Sequence, residues 1–329
     1  MNRPMNDDLT ALATVLEDAE ELLVVTHQIA DGDCLGSMLA AYLAFNRGRR
    51  RVRAVHPEPV PAIYRFLPRW EAIEPPRVLT EAPRAALVLD CTDPARVGQE
   101  LALLLERVSL IVNVDHHLGN RYFGHLNYVR PEAAATAELI YDLLETMGIG
   151  LTPEIALALY TGLVTDTGCF QFENTSPRSH LIAARLLEAG VAPQEVHRQL
   201  WEEKPLVTLR LLEKVLSTLS FAADGRVAWV TVTQAVLAAV GAEAEHCEGL
   251  IEYPRSVAGV EVALLFRETE TGETKVGFRS KQKVDVNRLA ARFGGGGHRR
   301  AAGCRLRLPL ERAVPLVVEA AAEALREED

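Results

Sequence analysis

The sequence predicts an α/β protein with an amino-terminal doubly wound, mostly parallel sheet and a smaller carboxy-terminal α/β domain with a mixed sheet. A helical connector joins them. Three observations predict this. Short apolar runs at 22–25, 85–89 and 110–112 alternate with helical segments, as in a parallel sheet covered on both faces. Each of those runs ends on ionisable residues, where an open α/β sheet keeps its ligand crevice. After a helical middle, strands and helices alternate again, so the boundaries are set at 1–192, 193–220 and 221–329.

Residues 9–21 have the spacing of an amphipathic lead-in helix. Strand 22–26 follows and runs into Thr26-His27-Gln28-Ile29-Ala30-Asp31-Gly32-Asp33. Gly32 and Gly36 permit a tight turn and a close backbone approach there. The mostly apolar stretch 37–45 reads as a buried crossover helix, and 52–56 as the next strand. A loop broken by Pro57, Pro59, Pro61 and Pro68 leads to strand 85–89, which ends on Asp90. A short helix at 100–107 precedes strand 110–114 and the triplet Asp115-His116-His117. Such alternation with short loops implies right-handed crossovers.

From Pro131 the pattern is helical. A helix over 132–147 closes at Gly148. Thr152-Pro153 supplies an N-cap and a first-turn proline for a helix to about 165, with Asp166 at its end. A further helix at 179–189 closes at Gly190. The stripe Leu206, Leu209, Leu212, Val215 and Leu216 reads as packing or a dimer face. The second domain is predicted as strand 227–233, helix 234–240, strands 260–266 and 274–280, helix 286–293, glycine loop 294–297, strand 304–308 and helix 311–327.

Composition narrows the class. Hydrophobic content of 48% with 24% charged residues excludes wholesale disorder. Residues 1–12 are polar, and no apolar run approaches the ~18–20 residues that span a bilayer. A cytoplasmic protein without a membrane partner is expected. The five cysteines, at 34, 91, 169, 247 and 304, have no Cys-x-x-Cys spacing and read as reduced thiols. A net charge of −10 argues against coating long nucleic acid. From Arg279 to Arg307, however, nine basic residues meet the single acid Asp285 around a four-glycine loop, which predicts an anion-binding surface.

His27, Asp31, Asp33, Asp90, His116 and Asp166 form one candidate set. Four carboxylates brought together repel one another, and bound divalent cations remove that repulsion. An oxygen and imidazole donor set without thiolate suits Mn²⁺ or Mg²⁺, with Co²⁺ as a surrogate. Six donors with one bridging carboxylate suit two cations about 3.5–4 Å apart. His56, His125, His180, His197 and His246 lack such company and read as surface or satisfied core histidines.

Asp115-His116-His117, taken with His27-x-x-x-Asp31-x-Asp33-x-x-Gly36-Ser37, Asp90 and Thr165-Asp166-Thr167-Gly168, resembles the DHH phosphoesterase superfamily. Gly294-Gly295-Gly296-Gly297-His298-Arg299-Arg300-Ala301-Ala302-Gly303 resembles its DHHA1 domain. The compact length is most similar to the branch of bifunctional oligoribonucleases (nanoRNases) and 3'-phosphoadenosine-5'-phosphate phosphatases. One departure is Ala30, where the family usually has proline; it is not a ligand position, and a slightly looser loop is expected.

The resemblance implies that His27, Asp31 and Asp90 hold one metal. Asp33, Asp90, His116 and Asp166 hold the other, with Asp90 bridging. It implies a metal-activated hydroxide as nucleophile, with Asp115 orienting the loop or an imidazole and His117 contacting a phosphoryl oxygen. Arg279, Ser280, Gly295, Gly296, Gly297 and His298 are the implied substrate contacts, the glycines through backbone N–H groups. The expected activity is hydrolysis of short RNA, with short DNA a further candidate substrate, to mononucleotides from the 5' end. Removal of the 3'-phosphate of 3'-phosphoadenosine 5'-phosphate is expected beside it, and a homodimer is compatible with both. The rival enzyme reading is a cyclic or linear dinucleotide phosphodiesterase. The rival of another class is a non-catalytic nucleotide-binding sensor.

Overall fold

The computed structural model describes residues 6–48, 50–79 and 81–328, so residues 1–5 of the polar amino-terminal run lie outside it. The chain divides into two compact units at Glu203/Lys204, inside the stretch 193–220.

In the first unit, six parallel strands form one sheet: β1 (Glu21–Thr26), β2 (Arg51–Val55), β3 (Ile73–Glu74), β4 (Ala85–Leu89), β5 (Leu110–Asp115) and β6 (Leu126–Val129). Their order is β3-β2-β1-β4-β5-β6, so the winding reverses between β1 and β4. Such a reversal opens a crevice at the carboxyl ends of the strands. The helices are α1 (Leu9–Asp18), α2 (Gly32–Phe45), α3 (Gln99–Leu105), α4 (Thr136–Thr146), α5 (Pro153–Asp166), α6 (Pro177–Glu188) and α7 (Pro193–His197).

Both sheet faces are covered, which is why the central strands β1, β4 and β5 are mostly apolar. Leu22 and Val24 face a core with α2, α4 and α5, while Leu23 and Val25 face a smaller one closed by Leu101 and Leu105 of α3. The edge strands β3 and β6 were not foreseen, because both are short and only partly apolar.

α2 begins at Gly32, earlier than the expected 37, because Asp31 caps it by accepting from the Cys34 N–H at 2.9 Å. α4 begins at Thr136, later than the expected 132. Ala135 is extended, and the peptide groups before it are engaged elsewhere. α7 and the following turn bury Val196 and Leu200 in the first core.

The second unit has α8 (Leu206–Leu216), β7 (Ser220–Ala222), β8 (Val227–Val232), α9 (Gln234–Val240), α10 (Glu252–Ser256), β9 (Val262–Glu268), β10 (Thr274–Ser280), α11 (Val286–Ala291), β11 (Gly296–Gly297), β12 (Ala301–Leu306) and α12 (Leu310–Glu327). The sheet order is β11-β12-β10-β9-β8-β7. Only β8 and β9 pair in parallel, so the sheet is mixed as expected. Within the leucine stripe, Val215 is buried and Leu212 half-buried, while Leu206, Leu209 and Leu216 stay exposed; the neighbouring Leu211 is buried as well. No helix among the described residues is long and apolar enough to cross a membrane.

One helix contact in the first unit sets the spacing of two carboxylates. α2 and α5 pack through glycines, and a Cβ on Gly36 would lie 2.4 Å from the Ala158 carbonyl oxygen. A Cβ on Gly162 would lie 2.8 Å from Asp33 Oδ1. The contact fixes the start of α2, which carries Asp33, against the end of α5, which carries Asp166. Gly36→Ala is expected to destabilise the fold by about 1–3 kcal/mol through overpacking. Urea denaturation checks this, and an unchanged midpoint would mean that the two helices can separate without loss.

Candidate metal centre

Four strand or helix ends deliver the donors. The loop after β1 carries His27 and Asp31, and the first turn of α2 carries Asp33; β4 leads into Asp90, β5 ends on Asp115 followed by His116 and His117, and α5 ends on Asp166. All but Asp31, which is exposed, and Asp166 are buried.

Asp90 sits at the middle. His27 Nε2 lies 3.2 Å from its Oδ2, while His117 Nδ1 and His116 Nε2 lie 3.4 and 3.6 Å from its Oδ1. Thr136 Oγ1 donates to Oδ1 at 3.0 Å, and Asp90 N–H donates to Val114 O at 2.9 Å. Its backbone is left-handed, with φ 54, a strained conformation for this residue type that turns the chain sharply as β4 ends. Burial alone would raise the Asp90 carboxyl. The hydrogen bond from His27 and the charges of His117, His27 and His116 overcome this and hold it well below the ordinary range.

Asp33 is held by the start of α4. Thr136 and Ala137 donate their N–H groups to its Oδ2 and Oδ1 at 2.6 and 2.9 Å, and Ser37 Oγ donates at 3.1 Å. Burial nonetheless drives the Asp33 carboxyl up, with Asp90 and Asp166 adding repulsion. Asp166 is raised to about 6, first by burial and then by Asp90 and Asp31, against the opposing pull of His116.

His116 Nδ1 faces the Ala133 carbonyl at 3.1 Å. A carbonyl only accepts, so Nδ1 carries the proton, and Nε2 points at Asp166, Asp90 and Asp33 from 3.4, 3.6 and 3.8 Å. His27 reaches Asp90 and Asp31 through Nε2, the latter at 3.5 Å. Among the described residues its buried Nδ1 has no hydrogen-bond partner, so the ring's orientation is set by what Nε2 meets. Burial opposes charge on both rings. The surrounding carboxylates prevail, raising His27 to about 10 through Asp31 and Asp90, and His116 to about 9 through Asp166, Asp90 and Asp33.

These donors fit a divalent cation. The ligand atoms of Asp33, Asp90 and His116 lie within 4.8 Å of one another, and those of His27 and Asp31 do likewise. They are hard oxygens and imidazoles. Cys34 lies beside His27 and Asp31, but burial pushes its thiol well up and it is hydrogen-bonded with Thr26 at 3.1 Å, which leaves it a packing group.

Asp115 and His117 form a separate pair. Asp115 Oδ1 accepts from His117 Nδ1 at 2.7 Å and from its N–H at 3.2 Å, and Oδ2 accepts from Asn120 Nδ2 at 2.6 Å. Asp115 therefore orients His117. Thr136, Asn120, Asn174 and Gly162 escaped the sequence reading, whereas His56 is the satisfied core histidine it was read as, its Nε2 meeting the His27 carbonyl at 3.0 Å. Asn174 Nδ2 donates to Ala134 O at 2.9 Å and to Asp166 O at 3.0 Å, which ties the 133–137 segment to the end of α5. The Ser/Thr/Asn composition around α4 and α6 was the available signal.

In the second unit, the expectation for the glycine run needs correction. Gly295 N–H donates to Ala290 O at 3.0 Å and Gly297 N–H to Asn287 Oδ1 at 2.9 Å, so these do not form a nest of free donors. Glycine is required at 295 because a Cβ would lie 2.2 Å from the Gly303 oxygen. At 297 it is required because φ is 150. Ser280 is buried and donates to Val284 O at 2.7 Å. His298, half-buried, follows β11, and its N–H donates to Ala301 O at 2.7 Å.

The basic excess is also smaller than the linear count implied. Arg279, Arg288, Arg292, Arg305 and Arg307 pair with Glu252, Asp285, Glu323 and Glu327, and Glu273.

Residues 21–163 match the DHH family, N-terminal domain, and residues 231–327 the DHHA1 domain. The chain is 38% identical over 325 residues to the bifunctional oligoribonuclease and PAP phosphatase NrnA of Thermus thermophilus, covering 97% of this chain and 95% of that protein. It is 30% identical over 199 residues to the protein of the same name from Bacillus subtilis, covering 60% of this chain and 62% of that one. An exopolyphosphatase-related protein from Bacteroides fragilis superposes with a TM-score of 0.88 at 26% identity over 97% of both chains. RecJ of T. thermophilus with Mn²⁺ shares the fold, with a TM-score of 0.56 at 16% identity over 96% of this chain and 54% of that one.

Two outcomes are expected of the centre. Thr136→Val removes the hydroxyl that steadies Asp90 and should weaken metal binding roughly 10–100-fold, read by calorimetric titration. In the metal-free protein, raised His27 and His116 are protonated at neutral pH, whereas ligation needs neutral imidazole. Metal affinity should therefore rise with pH toward about 9, with proton release that makes the binding enthalpy buffer-dependent. A buffer-independent enthalpy at neutral pH would contradict it.

Proposed function

Given that this chain belongs to the DHH family of metal-dependent phosphoesterases, we propose that it hydrolyses short RNA to mononucleotides from the 5' end and dephosphorylates 3'-phosphoadenosine 5'-phosphate. One observation carries the reading. The buried Asp33–Asp90–His116 cluster, with His27, Asp31 and Asp166 around it, stands in a chain alike along 97% of its length to a protein named for both activities.

Two divalent cations, Mn²⁺ by preference, supply Lewis acidity and lower the pKa of water enough to give a nucleophile near neutral pH. His27, Asp31 and Asp90 would hold one, and Asp33, Asp90, His116 and Asp166 the other. Asp90 suits the bridging role because both of its oxygens already face imidazoles. His117, fixed by Asp115 through Nδ1, would present Nε2 to a phosphoryl oxygen as charge grows there. Arg279 and His298 would contact the substrate's terminal phosphate, with Gly295, Gly296 and Gly297 admitting it by their lack of side chains and Ser280 holding the turn beneath. A cytoplasmic location and a homodimer through Leu206, Leu209 and Leu216 complete the proposal, and sedimentation tests the dimer.

The two substrates are chemically one problem. In each, a 5'-phosphorylated nucleoside carries on its 3'-oxygen the phosphorus to be attacked, and a nucleoside 5'-monophosphate leaves. Product analysis with Mn²⁺ on 5'-labelled RNAs of graded length, beside 3'-phosphoadenosine 5'-phosphate, tests this. Mononucleotides released fastest from the shortest RNAs, together with inorganic phosphate from the second substrate, are expected. Opening of a cyclic dinucleotide alone would replace this reading. Asp90→Ala should lower both activities by roughly 10³-fold or more, since several kcal/mol of transition-state stabilisation pass through the metals.

A further inference from the structure

Just beyond Asp166 the chain takes an unusual path. Gly168, Cys169 and Phe170 have positive φ of 55, 58 and 62 in succession. For a residue as bulky as Phe170 this conformation is strained, and it persists only where neighbours over-determine it. They do so here. Phe170 N–H donates to Thr167 Oγ1 at 3.1 Å, and that hydroxyl donates to Leu163 O at 2.6 Å. The Phe172 ring covers Gly168 so closely that a Cβ would lie 2.4 Å from it.

The outcome is an aromatic stack. The Phe170 ring lies 4.9 Å from the His180 ring at an interplanar angle of 26°. Phe170 is half-buried against the core, whereas His180 is exposed in the first turn of α6, behind the Ser176 capping box. Among the described residues no side chain pairs with the His180 ring nitrogens. An exposed imidazole backed by a phenyl ring, close in sequence to a metal ligand, is a ready face for one more planar ring.

Resting on the phosphoesterase reading above, we infer that the stacked Phe170–His180 pair is a platform for a nucleobase, that of the second nucleotide of the RNA substrate. The first nucleoside, bearing the scissile phosphorus on its 3'-oxygen, is common to RNA and 3'-phosphoadenosine 5'-phosphate. What RNA alone has is a nucleoside on the far side of that phosphorus. A stacking surface is tolerant of sequence because every base has a π-face. A single such platform also favours short substrates, since it rewards one further base and no more.

The test compares KM for a dinucleotide and for 3'-phosphoadenosine 5'-phosphate. His180→Ala should raise the dinucleotide KM relative to the other substrate by about 5–150-fold, the range for one base stacked on an aromatic ring. His180→Phe should restore it, and a dinucleotide with an abasic second position should be insensitive to both changes. An unchanged KM ratio in His180→Ala, or the same loss with the abasic substrate, would overturn the platform. Binding gives a second readout: 2-aminopurine at the second position should be quenched by wild type and not by His180→Ala. Absence of turnover of both substrates by wild type would sink the functional reading instead, while the quenching still reports on the platform.

Discussion

Taking Asp33 and Asp90 out of water, with the half-buried Asp166 beside them, is the demand around which the first unit is built. An isolated carboxylate taken out of water loses far more solvation than one hydrogen bond returns, so the fold must bring several compensating groups to one point. It uses three kinds. The first amides of α4 bond both oxygens of Asp33, which uses donors that a helix start leaves unsatisfied in any case. The imidazoles of His27, His116 and His117 surround Asp90. For Asp166, which stays raised, the third would be the divalent cation proposed above.

The segment just before α4 links these groups. Ala133 O fixes His116, Ala134 O is tied through Asn174 to the end of α5, and Thr136 reaches both Asp33 and Asp90. Alanines there favour helix, yet residues 133–135 are not helical. Their peptide groups hold His116 and Asn174 instead, and these tertiary hydrogen bonds outweigh a propensity of about a few tenths of a kcal/mol per residue. This is why a reading from composition started the helix four residues early.

The strand ends were legible because apolar runs that stop on Asp and His violate the usual pattern of a buried strand. His27, Asp90 and His116 needed no more than that contrast, and their convergence followed from parallel strands sharing one end. Thr136 and Asn174 were not legible, because each is an ordinary polar residue whose role depends on what lies across the fold, 46 positions from Asp90 and 40 from Ala134 respectively. β3 and β6 were missed for a different reason: edge strands this short carry little periodicity. In the second unit the glycine run was visible but its physical basis was not. Close pairing of β11 with β12 leaves no room for a Cβ at 295 or 297, so much of the run is explained by sheet packing before any ligand is considered.

Gly162 shows how packing and chemistry meet in one atom's worth of space. A methyl group there would touch Asp33 Oδ1 and the Ala137 Cβ at once, so the gap between α2, α4 and α5 is closed around a carboxylate rather than around an apolar side chain. A close-packed interior transmits small displacements instead of absorbing them. The helices that hold Asp33 and Asp166 are thus positioned by the same glycine contact, and the separation of those two carboxylates is set by how closely two backbones can approach. Backbone approach distance is a stiffer ruler than any pair of side-chain rotamers, so the fold itself sets the spacing of Asp33 and Asp166.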